Sequence, residues 1–318
     1  MKVASALVSG IQPATTLAEA AVRKAMQRAG LTQASSVLLF MSRDMAHFAK
    51  PSITAAARLS SCLQVHGCTA YGVFTEEGWA LDQSSVAALV MDHPLSQPEE
   101  ADITLSLSGN NNLPPLWQSD RQRFGLLDSN ATVWANARLS EQKQANIPLS
   151  GLRPVQNIVS GLKPLSDPLI VDASAGYDVQ TIAGKPAIES LLRSLAPEIR
   201  ERPPLYRLVA IRHPGGPGIP ILSINADGSL TLGESLQPGD SLTWCTRQTL
   251  LAEKFMQEAM ATAVNTLPKP DFALMFSCIG RGPLFYGDDD RDLQAFRQAC
   301  PQTPLLGAYA SGQIAPAS

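Results

Sequence analysis

The chemistry legible in this chain is concentrated near its end, in Ser277-Cys278-Ile279-Gly280-Arg281-Gly282. Glycine permits positive φ, so successive backbone N–H groups can point into one concavity. The arginine between two glycines carries a planar fork suited to a carboxylate or a phosphate. Ser277 and Cys278 stand where an apolar strand ends, the place at which α/β sheets bind ligands. A strand returns within 305–316, Leu-Leu-Gly-Ala-Tyr-Ala-Ser-Gly-Gln-Ile-Ala-Pro. There Gly307 and Gly312 keep the backbone slim beside the loop. The spacing predicts a cleft with Arg281 facing it. Ser277, Cys278, Gly280 and Gly282 would form one side, and Tyr309, Gly312 and Gln313 the other. An arginine flanked by backbone donors favours an anion over a cation. The plainer reading of the same loop is a tight turn with a solvated arginine.

Cysteine offers a second chemistry. Cys278 and Cys68 lie near related strand ends, and a thiol becomes nucleophilic when a cation or a helix N-terminus lowers its pKa. Arg281 would supply the cation. A cysteine-dependent metabolic enzyme is therefore an alternative, although the sequence places no histidine as the partner such catalysis uses. Both cysteines equally suit the role of small buried hydrophobes. The histidines, His47, His66, His93 and His213, show no metal-ligand spacing and read as surface or capping residues. His47 falls in the early loop that corresponds to 280–282.

Two other clusters have plainer readings. The run 213–218, His-Pro-Gly-Gly-Pro-Gly, has the glycines of a phosphate loop. A strand follows it instead of a helix, and prolines donate no N–H, so a hairpin loop is expected. Asp288, Asp289 and Asp290 precede a helix at 291–300. Three carboxylates suggest a metal, but they also suit a helix N-terminus, and capping is the reading adopted.

These loops need elements to hold them, and the elements repeat. The late segment has an apolar strand (271–276), the polar loop, a helical stretch and the returning strand. An early copy has the strand Ser36-Val37-Leu38-Leu39-Phe40-Met41-Ser42, a helical stretch, and Gly67-Cys68-Thr69-Ala70-Tyr71-Gly72. Upstream, Leu17, Glu19, Ala25 and Met26 recur at the spacing of Leu251, Glu253, Ala259 and Met260. Self-similarity of this kind sets architecture before any single motif does. By position in the copy, Ser42, Cys68 and Thr69 join the candidate ligand-binding set.

A helix is expected from Thr15 or Thr16 to Gly30, with Thr16 and Glu19 spaced as a capping box. Residues 36–41 form a continuous apolar run, the pattern of a strand buried on both faces. Helices are expected at 52–65, 184–195 and 249–267, and strands at 67–74, 86–92 and 103–107. Gly176 joins strands at 169–173 and 177–182 as a hairpin, and 225–228 is a hairpin turn. The run 109–115 is a loop by composition. Prolines at 148, 154, 164 and 168 forbid a regular helix there and place a domain junction. The reading is an α/β protein of mixed α+β character. Two pseudo-equivalent β-α-β-α-β halves, 1–150 and 151–318, carry mixed sheets in a four-layer αββα arrangement. The second half is expected to lack a last edge strand that the first possesses.

Bulk properties narrow the function. The chain has 318 residues, 45% hydrophobic and 17% charged, with a net charge of −3. Such a balance supports a sizeable core and gives no basic surface for nucleic acid or an anionic membrane. The longest apolar run, about 86–91, is far below the roughly 20 residues of a spanning helix. Five cysteines with no Cys-x-x-Cys pair indicate neither a disulfide framework nor a zinc site, and a reducing, cytoplasmic setting is expected.

Phe276-Ser277-Cys278-Ile279-Gly280-Arg281-Gly282, then Pro304-Leu305-Leu306-Gly307-Ala308-Tyr309 and Gly312-Gln313-Ile314-Ala315-Pro316, resemble the C-terminal signature of FIST proteins (F-box and intracellular signal transduction). The runs 171–176 and 182–187 look like the start of that C-terminal domain, and 232–240 fits its middle. Gly67-Cys68-Thr69-Ala70-Tyr71-Gly72 is similar to the N-terminal FIST signature. The resemblance spans roughly 31–316. It implies a sensory, signal-transducing protein that binds a small ligand such as an amino acid and has a possible signalling protein as partner. Some relatives are haem-linked sensors, and on that branch His47 would be the first candidate ligand; no other cofactor is implied. Gln313 stands where the family often has Glu, which removes one group that would pair with an amine. The leading reading is a sensory protein binding a small, carboxylate-bearing, amino-acid-like metabolite near the Ser-Cys-x-Gly-Arg-Gly loop. A ligand-free protein-interaction module is a further alternative.

Overall fold

Every residue of Ser36–Ser42 is buried, and that strand is the keel of the fold. The computed structural model describes residues 1–95, 101, 103–110, 113–114, 117, 122–213 and 218–316. The chain divides into two compact units, one formed by Met1–Asn157 and the run from Met260 onward, the other by Ile158–Ala259. Segment 260–316, which the sequence reading assigned to the second half, thus belongs with the chain's beginning.

The first unit opens with β1 (Val3–Gly10), α1 (Thr15–Ala29) and β2 (Ser36–Ser42). A short 3-10 turn leads into α2 (Ala49–Ser60), β3 (Val65–Ala70), β4 (Gly72–Thr75), β5 (Gly78–Leu81) and β6 (Ser84–Met91). Then come β7 (Ile103–Ser108), β8 (Gln122–Leu127), β9 (Val133–Ala135), β10 (Arg138–Leu139) and β11 (Gln144–Pro148). The loop expected at 109–115 lies partly outside the described residues. Gly30 ends α1 in the left-handed region at φ 63°, as expected of a C-terminal glycine. The Thr16/Glu19 capping box does not form: the helix begins at Thr15, and no side chain caps it. The helix expected at 52–65 starts at Ala49 and ends where Ser61 turns left-handed, so that Val65 is free to open β3.

The second unit holds β12 (Leu162–Pro164), β13 (Leu169–Ala175), β14 (Asp178–Ile182), β15 (Lys185–Pro186), α3 (Ala187–Ser194), β16 (Leu208–Arg212), β17 (Gly218–Ile224), β18 (Leu230–Leu232) and β19 (Ser241–Arg247). Six antiparallel strands close on themselves in the order β19-β13-β14-β18-β17-β16 and back to β19. Trp244, Leu191, Val171 and Leu230 fill the unit's core. Gly176, at φ 61°, makes the expected β13–β14 hairpin. The glycine-proline run at 214–217 lies outside the described residues. The chain leaves this unit within α4 (Thr249–Thr266) and continues as β20 (Ala273–Cys278), α5 (Pro283–Tyr286), α6 (Arg291–Ala299), β21 (Leu305–Ala310) and β22 (Gly312–Ile314).

In the first unit the two sequence copies become two parallel pairs in the same register: Leu39 lies opposite Gly67 in β2–β3, and Met275 opposite Gly307 in β20–β21. A third pair, β7–β8, matches them, with Ser106 opposite Gly125. After each returning strand the chain crosses to the next pair. β4 adds to β21, β22 adds to β8, and β9 adds to β3, which closes the cycle. Gly67 and Gly125 are required at their positions, with φ 157° and 148°. A Cβ there would stand 1.8 Å from Leu39 O and 1.9 Å from Ser106 O.

This arrangement replaces the expected four-layer stack of two halves in the first unit. Three sheets turn one face each to a common core of Leu38, Phe40, Leu89, Leu105, Leu126 and Leu306. The other face of β2 (Val37, Leu39, Met41) packs on α1 and α2, so the strand is buried on both sides as its apolar run predicts. Outside β21, Phe74 and Tyr309 pack on Leu293 and Phe296 of α6. The whole is a mixed α/β fold with four sheets and six α-helices among the described residues. None of those helices is long and apolar enough to cross a membrane.

Candidate functional site

The Gly-Arg-Gly loop folds as a 3-10 turn over Ile279–Arg281 followed by the single turn of α5. Its arginine points inward. Arg281 Nε donates to Asp292 Oδ2 at 2.7 Å and Nη2 to Oδ1 at 3.1 Å, with side chains only 12% and 6% exposed. Burial opposes the Arg281 charge, but the Asp292 hydrogen bonds and charge win and raise its pKa. Tyr286 donates to the same carboxylate at 2.8 Å. Tyr309 donates its hydroxyl to Asp290, whose other oxygen caps α6 through Leu293 N at 3.0 Å. The capping reading of Asp290 holds. Burial and the Asp290 charge hold the Tyr309 phenol well above its usual range. Gly282 lies against the Tyr309 ring, where an added Cβ would come within 2.8 Å. The loop's arginine is therefore spent on α6, to which Tyr286 and Tyr309 also bind, and Asp292 occupies the fork assigned to an anion.

The remaining sequence candidates separate. Ser277 is buried and Cys278 half-buried at the end of β20, Gly280 and Gln313 are exposed, and Gly312 is half-buried. Cys68 sits in the central core, where burial first and the Asp128 charge second push its thiol well up, which disfavours a thiolate nucleophile. Thr69 is buried and accepts a hydrogen bond from Thr132 N at 2.9 Å. His47 is exposed on the turn after β2. Among the described residues no group of three His, Cys, Asp or Glu could hold a metal ion.

Ser42 leads to a different place. It lines a cavity of about 490 Å³ at the carboxyl end of β2, together with Arg43, Asp44, Tyr71, Asp82 and Ser84. Arg43 is clamped there. Its Nη2 donates to Asp128 Oδ1 at 2.6 Å and to Ser129 O at 2.9 Å, its Nε to Asp128 Oδ2 at 3.3 Å, and its guanidinium lies 3.3 Å from the centroid of the Tyr71 ring. Nη1 has no partner among the described residues. Asp128 is fully buried, and burial raises its pKa against the opposing pull of Arg43 and Ser311. Ser311 Oγ donates to it at 3.2 Å. Thus the loops that follow β2, β3, β8 and β21 meet around one buried carboxylate.

Asp44, also in the lining, accepts from the hydroxyls of Ser42 and Ser84. Asp82 holds a left-handed φ of 54° and has no hydrogen-bond partner among the described residues. Sequence reasoning named only Ser42 of this set. Arg43 was available to it, as the residue after the strand that matches β20. So was Tyr71, inside the Gly67–Gly72 block. Asp128 was not, because the β7–β8 pair has no sequence signature matching the other two.

Residues 189–316, from α3 to β22, match the family described as FIST C domain. An uncharacterized protein of Mycobacterium tuberculosis (strain CDC 1551 / Oshkosh) is 28% identical over 182 residues, covering 53% of this chain and 48% of that protein. An uncharacterized protein of Mycobacterium bovis (strain ATCC BAA-935 / AF2122/97) is 27% identical over 182 residues, covering 53% of this chain and 47% of its own length. The chain spans about half the length of these curated relatives. At residues 189–316, then, the protein carries a FIST C domain.

Proposed function

We propose that this is a sensory protein that binds a small amino-acid-like metabolite in the cavity beside Arg43. The observation that carries the reading is the state of that arginine. Asp128 and Tyr71 fix its position, yet Nη1 keeps two N–H donors unspent. A preorganised cation of this kind suits a ligand carboxylate. Asp44 and Asp82 line the same cavity and suit a ligand ammonium group. The anionic-metabolite reading centred on Ser277–Gly282 loses its cation to Asp292. In the first copy Arg43 is likewise paired, to Asp128, but its side chain stays 35% exposed and Nη1 remains unspent. A partner reading the occupied state would complete the signalling role that the FIST resemblance implies.

The test is thermal unfolding of the whole chain against the amino acids and their decarboxylated and deaminated analogues. A ligand that binds the native state raises Tm by mass action. At least one amino acid should do so, and both analogue series should fail. Tyr71→Ala, at a half-exposed position, should fold and lose the response. Stabilisation by amines alone, or a full response in Tyr71→Ala, would overturn the proposal.

A further inference from the structure

We infer a second, independent ligand site in the unit formed by Ile158–Ala259: a small oxyanion pocket built on Trp244. A cavity of about 280 Å³ lies where β14, the turn before α3, and α3 itself meet. Its polar lining is Ser166, Ser190, Ser194, Lys185 and Arg193, and no carboxylate lines it. Leu165, Leu169 and Ile182 give it an apolar side.

The hydroxyls carry the argument. Trp244 is completely buried, and both of its N–H groups donate to serines of this pocket: the indole Nε1 to Ser190 Oγ at 3.1 Å and the backbone N to Ser166 Oγ at 3.1 Å. A hydroxyl that accepts still has one proton to give. Neither Ser166 nor Ser190 gives its proton to any described residue, and Ser190 is only 7% exposed. Ser194 differs, since it donates to Ser190 O at 3.1 Å. Two serines are thus preset as donors facing a cavity that no carboxylate lines.

Charge agrees with this polarity. Lys185 has no ion-pair partner among the described residues. Arg193 sits at the rim with its side chain 61% exposed, paired to Glu189 one turn earlier on α3 at 2.6 Å. Two hydroxyl donors, a free ammonium and a rim guanidinium suit the several acceptor oxygens of a phosphate group. The apolar side and the volume fit a short carbon chain attached to it. The ligand class is a small phosphate monoester.

Inorganic phosphate is the first probe, with ionic strength held constant by chloride. The chain has four tryptophans, so assigned ¹⁵N spectra give four indole N–H signals. Phosphate should move the Trp244 indole signal saturably, because its acceptor Ser190 then donates to the ligand. Trp79, Trp117 and Trp134 should stay still. Lys185→Ala removes the charge of a half-buried side chain that is not part of the core cluster and should weaken the titration roughly tenfold, the loss expected for a charged hydrogen bond. Glycerol 3-phosphate should bind more tightly than phosphate. No saturable movement of Trp244 by 50 mM phosphate, or equal affinity in Lys185→Ala, would overturn the site. The amino-acid response of the other unit is unaffected by either outcome, so the two proposals fail separately.

Discussion

Arg43 reaches Asp128 across 85 positions of sequence, with Nη2 and Oδ1 2.6 Å apart, and the carboxylate it meets has no exposure to solvent. Removing one partner of such a pair leaves the other buried and unsatisfied, which costs more than the pair contributes. Arg43→Ala should therefore lower unfolding stability by about 2–3 kcal/mol, on the low side for a buried pair because the arginine is 35% exposed. Asp128→Asn in the same background should recover part of the loss. Chemical denaturation of the two single variants and the double variant measures this. An additive double variant would mean that the contact carries no coupling.

Arg281→Ala gives a similar expectation for a different reason. On sequence alone its removal would spare the fold, as for any loop side chain. Its place against Asp292 makes the substitution destabilising by about 3 kcal/mol. Amino-acid binding should be unchanged at temperatures where the variant is folded. A variant with native stability and weakened binding would restore the loop as the ligand site.

His66 sets a pH dependence. It is 1% exposed, Asn136 N donates to its Nδ1 at 3.4 Å, and its Nε2 has no partner among the described residues. Desolvation lowers its pKa from 6.5 to about 4. The unfolded chain therefore binds this proton more readily than the native one. The associated stability is complete above pH 6.5 and is lost as pH falls toward 4, by roughly 3 kcal/mol in all. His66→Phe should flatten the stability profile across that window. An unchanged profile would assign the acid sensitivity elsewhere.

Thiol labelling separates the five cysteines. Burial raises the pKa of Cys62, Cys68, Cys245 and Cys300, with Cys245 pushed up to about 11. Cys278 alone is partly accessible. Native protein at pH 8 should take up one equivalent of reagent quickly, at Cys278, and the others only on unfolding. Rapid labelling at Cys68 would revive the cysteine-enzyme alternative.

Glycine spacing makes the last test. Gly67→Ala and Gly125→Ala should each cost at least ~3 kcal/mol, since the new methyl meets a rigid strand carbonyl. Gly78→Ala, with nothing within 4 Å, should stay within about 0.5 kcal/mol. Circular dichroism melts of the three proteins decide it.

What the sequence made legible followed from local rules. The apolar run of β2 signals burial on two faces, Gly30 signals a helix end, and the match of 36–72 to 273–312 signals two equivalent strand pairs. The β7–β8 pair escaped because the β2–β3 and β20–β21 connections contain α-helices and the 109–121 connection has no comparable helical pattern. The site was half legible. Arg281 has the composition of an anion receptor, but only its fold partner, 11 residues on, reveals that the receptor is filled. Arg43 has no glycines to advertise it, and Asp128 reaches it through a long-range crossing that no local pattern encodes.

The cyclic crossing of strands also dictates an order of assembly during synthesis. When Asn157 leaves the ribosome, β4 has β5 beside it but not β21, and β8 has β7 but not β22. Both open edges must wait until β21 (Leu305–Ala310) and β22 (Gly312–Ile314) are made, well after the intervening unit is complete. The intervening unit closes its six-stranded ring from its own strands and can fold in the meantime. Nascent chains stalled before β20 should consequently be protease-sensitive at 72–75 and 122–127 while 162–247 is already protected, a window in which a chaperone has unpaired strand edges to hold.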